Sequence, residues 1–174
     1  IILWFNFRSV RDTAYVMVLA VLAIGATYGL SGWLQFAGIE MTFNAAMNSI
    51  PVLLLAIGVD YGLHVVARIR EEYRDGAPPD AKTVRDLDLE LRQRAVRHGA
   101  IMTSVALAIA IFTDVIGFLS FRLSSLVFLQ VFGTVIAIGL LMIYLLSISA
   151  LPALMLTLPP KRMALHALWR QGQH

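Results

Sequence analysis

Ala56-Ile57-Gly58-Val59-Asp60-Tyr61-Gly62-Leu63-His64 places a carboxylate and an imidazole inside an otherwise uncharged run from residue 45 to residue 67. At about 1.5 Å rise per residue such a run covers the roughly 30 Å hydrocarbon core of a bilayer. A charged Asp at the centre of a membrane helix costs about 2.5–3.5 kcal/mol on insertion scales. Asp60 must therefore face protein or water, pair with another group, or hold a proton. The last option makes a proton carrier. Gly58 and Gly62 form a GxxxG seam that admits a second helix closely. His64 lies one turn from Asp60 on its helix face.

Outward from this stretch the same composition repeats. Residues 13–34, 100–121 and 126–158 are further apolar spans, the last one long enough to tilt or to end early at Pro152. Pro51 should kink the 45–67 span or ease its outer turn. Residues 1–7 are apolar and run into Arg8 and Arg11, the order expected of a helix end whose beginning lies upstream. The whole chain of 174 residues is 59% hydrophobic and 14% charged, against about 45–50% and 25% for a soluble domain. A single water-soluble core is excluded, and the expected fold is an all-α membrane bundle. It comprises four complete transmembrane helices and the end of a fifth. Zero cysteines exclude disulfides and thiolate chemistry.

Residues 68–98 invert the pattern. Arg68, Arg70, Glu71, Glu72, Arg74 and Asp75 precede a Gly76-Ala77-Pro78-Pro79-Asp80 turn. Val84, Leu87, Leu91 and Ala95 then recur at helical spacing among charges, which predicts an amphipathic helix in this loop. Of the 14 Lys and Arg residues, 13 fall on one side of the spans and only Arg122 on the other. The positive-inside rule then puts the charged loop and the tail, 159–174, in the cytoplasm. The basic residues beside apolar spans account for the net charge of +3 without nucleic acid.

Asp114, in Ile111-Phe112-Thr113-Asp114-Val115-Ile116-Gly117-Phe118, is a second carboxylate within a span. Counted from the expected helix ends, it lies roughly 9 Å deeper than Asp60, so direct sharing of one proton is not expected. Gly25, Gly29 and Gly32 form a small-residue seam for helix packing. Asn44 and Asn48 suit caps or interhelical hydrogen bonds, and Trp4, Trp33 and Trp169 suit interfacial anchors. Thr103, Ser104, Gln130, Tyr144, Ser147 and Ser149 should mostly bond backbone carbonyls. His98 and His166 fit an interfacial position, and no His/carboxylate spacing supports a metal site.

Gly58-Val59-Asp60-Tyr61-Gly62-Leu63-His64 followed by Arg68-Ile69-Arg70-Glu71-Glu72 resembles the fourth transmembrane helix of the RND superfamily, in its MMPL or hydrophobe/amphiphile efflux branch. Thr103-Ser104 with Gly117-Phe118-Leu119-Ser120 is similar to the fifth helix, and Phe132-Gly133 with Leu151-Pro152-Ala153-Leu154 to the sixth. The resemblance implies the end of helix 2 and helices 3 to 6 of one repeat, in the cytoplasmic membrane of a prokaryote. It implies a proton-coupled exporter of hydrophobic or amphiphilic molecules, with Asp60 and Tyr61 matching the family's relay residues; His64, Thr113 and Asp114 join that relay by their place in the spans of this chain. Gly58, Gly62 and Gly117 serve packing. Where the family has Thr-Thr this chain has Thr113-Asp114, which adds a second protonation site. Membrane lipids, protons, a second repeat, a porter domain and a second copy of the chain are the partners implied; a cofactor is not. Two other classes compete: a lipid- or sterol-sensing or protein-export accessory module of the same architecture, and an intramembrane aspartyl protease built on Asp60 and Asp114. The protease reading suffers from Asp-Tyr standing reversed and Gly-Val-Asp lacking one glycine.

Overall fold

The computed structural model describes residues 10–39, 45–78, 84 and 87–157. Four long helices dominate: α1 (Val10–Phe36), α2 (Ile50–Asp75), α3 (Leu89–Leu119) and α4 (Val127–Thr157). Each is long and apolar enough to cross a membrane, and the described residues form an all-α bundle. The expected helix end at 1–7, Trp4, Asn44, His166, Trp169 and the tail lie outside the described residues.

Local chemistry sets the helix ends. Gly38, with φ 90°, closes α1. Its N–H donates to the Gln35 carbonyl while the Ile39 N–H donates to Leu34, a pairing that satisfies carbonyls left open at a helix C-terminus. Pro51 lies in the first turn of α2, after a 3-10 turn over Ala45–Ser49. There its missing N–H costs nothing, so it starts the helix and kinks nothing. Asn48 sits exposed in that 3-10 turn. α4 continues through the buried Pro152 to Thr157 and does not stop early.

The charged segment 68–98 is a correction to the sequence reading. α2 continues to Asp75 and α3 begins at Leu89, so most of the expected loop is helical extension of the two spans. No separate amphipathic helix stands between them among the described residues. Leu91 and Ala95 belong to the first turns of α3, while Val84 and Leu87 precede it. The apolar periodicity nonetheless reports burial: Val84, Leu87 and Ala95 are all in the core. Polar heads and apolar stems at an interface support a helix that outruns the hydrocarbon.

α4 is the centre of the bundle, half of its apolar window being buried against 17% for α3. Glycines set the closest approaches. A Cβ on Gly62 would stand 2.7 Å from Val16, one on Gly139 2.5 Å from Leu54, and one on Gly133 2.2 Å from the Phe118 carbonyl oxygen. A Cβ on Gly99 would likewise stand 3.0 Å from the Ile69 Cα, so Gly99 is seated on the Ile69 backbone. These seats fix α1 on α2, α2 on α4, α3 on α4 and α3 on α2. Gly25, Gly29, Gly32 and Gly117 face open space, so the α1 seam and Gly117 have no packing partner among the described residues.

At the charged end Asp12 of α1 is fully buried and pairs with Arg70 of α2. Tyr73, also fully buried, packs beside them. This ion pair ties α1 to α2 just beyond the apolar segment.

Candidate functional site: the groove between α2 and α3

The face of α2 divides by residue. Gly58 and Gly62 turn to α1, where Ala20 and Val16 meet them, and Gly58 also meets Ile143 of α4. Tyr61 is buried, with 6% of its surface exposed, and points across to α3. Asp60 and His64 look away from α4, their side chains 60% and 63% exposed. Asp60 is thus not enclosed by these four helices. It lies on the wall of an open groove of about 560 Å³ between α2 and α3.

That groove has a polar wall and an apolar one. Asp60, Tyr61, His64 and Arg68 come from α2; Met102, Thr103, Ala106, Leu107 and Ala110 come from α3. Asp60 Oδ1 and His64 Nε2 are 3.7 Å apart, at i,i+4. Thr103 donates to the Gly99 carbonyl, its own helix satisfying the hydroxyl. Other span hydroxyls behave the same way: Ser104 bonds Ile101, Ser149 bonds Leu145, and Tyr144 reaches from α4 to the Ser104 carbonyl.

Above the groove the Tyr61 hydroxyl donates to Asp114 Oδ2 at 2.9 Å. The two backbones are not level. With Gly99 seated on Ile69, antiparallel register puts the Asp114 Cα roughly 10 Å beyond that of Tyr61 along α2. Side chains lean towards the N-terminus of their own helix, so on antiparallel helices these two lean towards each other and close the gap. The depth difference between the carboxylates therefore stands at the backbone, and Tyr61 spans it. Sequence periodicity along one helix does not contain this contact.

Of the other sequence candidates, Thr113 is exposed and donates to the Ile109 carbonyl at 3.0 Å. It is not drawn into the Tyr61–Asp114 contact. The carboxylates have different partners, His64 for Asp60 and Tyr61 for Asp114.

A family model of the MMPL family matches residues 1–174. The chain belongs to the MMPL family. Among MMPL relatives, the siderophore exporter MmpL5 of Mycobacterium tuberculosis is 32% identical over 81% of this chain, which covers 13% of MmpL5. The protein MJ1562 of Methanocaldococcus jannaschii is 29% identical over 88% of the chain, covering 35% of that protein. MmpL6 of Mycobacterium tuberculosis is 29% identical over 77% of the chain, covering 30% of it. The chain thus corresponds to a minor part of each relative, and the same MMPL segment occurs in proteins of very different length. No solved structure matches significantly.

Proposed function

We propose that this chain is the proton-handling transmembrane part of an exporter of hydrophobic or amphiphilic molecules. The Asp60/His64 pair beside the Tyr61–Asp114 hydrogen bond carries the proposal: a carboxylate, a phenol and an imidazole line one groove in an apolar segment, and the phenol reaches a second carboxylate just beyond it. The naming of MmpL5 as a siderophore exporter supports export of a small amphiphile. Lipid-like cargo fits an apolar bundle equally well. The charge count supports a cytoplasmic charged end and an inner-membrane setting.

Asp60 changes charge as a proton binds and leaves, and Tyr61 conveys that change to Asp114 on α3. A charge confined in a low-dielectric site alters helix packing by several kcal/mol, enough to shift a two-state bundle. Exposure of Asp60 and His64 in mid-span supports a protein cover over this face, such as a second helical repeat of the same polypeptide or a second copy of the chain. The separate partners of Asp60 and Asp114 weigh against a protease dyad, in which two carboxylates share one proton.

The test is Asp60→Asn in the full-length polypeptide, with export followed in vesicles carrying an imposed pH gradient. Loss of proton-driven export with normal membrane insertion is the expected result; export at the wild-type rate overturns the proposal.

A further inference from the structure

We infer that Glu72 and His98 form the cytoplasmic port through which protons pass between the groove and water. The inference rests on the proton-carrying role proposed for Asp60. Asp60, His64, Arg68 and Glu72 follow one another at i,i+4 along α2, a stripe of roughly 18 Å from mid-span to the charged end. The first three line the groove. Arg68 Nη2 donates to Glu72 Oε1 at 3.0 Å, and His98 Nδ1, from α3, meets that same oxygen at 3.0 Å. Glu72 is thereby held at the inner end of the stripe with 19% of its side chain exposed, while His98 is 51% exposed. One group faces inward and the other faces water.

The charged neighbours favour this division of labour. Around Glu72, Arg68 is the cation on its own helix and also pairs with Glu71, to which Arg74 comes within 3.8 Å. Asp75 adds an acid near Arg68. From α3, Arg94 lies one turn before His98 and Arg97 directly before it. From α1, Asp12 is engaged by Arg70, which points away from Glu72 around α2. Arg68 stays charged and relays nothing; it fixes the Glu72 carboxylate. A proton leaving Asp60 passes by way of His64 and groove water to Glu72. Glu72 passes it to His98 Nδ1 and the ring releases its Nε2 proton to cytoplasmic water, which leaves the Nδ1–H tautomer. Exchange of that Nδ1 proton for one at Nε2 through water restores the starting ring, one H⁺ in all having moved.

The full-length polypeptide in proteoliposomes, with a pH-sensitive dye reporting proton flux, tests the port. His98→Gln and Glu72→Gln keep hydrogen-bonding groups but cannot carry a proton. Both should lower proton flux about tenfold or more, and His98→Gln should also change how flux depends on cytoplasmic pH. Imidazole added on the cytoplasmic side should restore flux to His98→Gly. Wild-type flux and pH profile in His98→Gln overturn the port, as does lowered flux with an unchanged profile and no rescue by imidazole. Asp60→Asn run alongside separates the two claims: if it blocks flux while His98→Gln does not, only the port fails. If Asp60→Asn conducts normally, the underlying proposal fails.

Discussion

The Tyr61 hydroxyl of α2 donates to Asp114 of α3 at 2.9 Å, joining the two helices beside the groove that separates them. A side-chain hydrogen bond is worth about 0.5–1.5 kcal/mol net, rising to about 1.5–3 kcal/mol where one partner is ionised. Tyr61→Phe should therefore destabilise the bundle by about that amount, measured by unfolding in detergent. Adding Asp114→Asn should cost less than the sum of the two single changes. Strict additivity would show that the contact carries no energy.

Tyr61→Phe and Asp114→Asn should each slow proton-driven export without matching the full loss expected of Asp60→Asn. Initial export rates at a fixed pH gradient check the ranking. An Asp114→Asn protein exporting as wild type would confine the relay to α2.

The glycine seats make opposite predictions within one chain. Gly62→Ala brings a methyl group 2.7 Å from Val16 and should destabilise by about 1–3 kcal/mol, as overpacking does. Gly117→Ala meets open space inside a helix and should be neutral, or stabilise by up to about 1 kcal/mol. Thermal midpoints of the two purified variants decide this directly.

Much of the fold is legible in the sequence because lipid imposes one rule on every residue of a span. Helix number and type follow from apolar runs alone, as for α1 and α4. The segment 68–98 is misread because charge does not mark the end of a helix: Arg68–Asp75 stays helical, with Arg68, Glu71 and Asp75 reaching water while Arg70 pairs with the buried Asp12. Asp60 and His64 are visible as mid-span ionisable groups, and Gly62 as part of a GxxxG. The Tyr61–Asp114 contact is not visible, since it depends on how α2 and α3 are staggered, and Gly99 on Ile69 sets that stagger. The Asp12–Arg70 pair is hidden for the same reason, joining residues far apart in sequence.

Breaking a buried ion pair from one side costs about 3–5 kcal/mol. Asp12→Ala should destabilise the bundle by about that much, whereas Asp12→Ala with Arg70→Leu should recover a large part of it. Chemical denaturation of the single and double variants measures both. A single variant as stable as wild type would mean that solvent reaches Arg70 freely.

Gly133 lies so close under the Phe118 carbonyl oxygen that α3 and α4 are pinned together where the chain reverses. Near its other end α3 is seated again, Gly99 on the Ile69 backbone. The helix is thus a beam held at two supports, and the stretch from Met102 to Ala110 that walls the groove spans the gap between them.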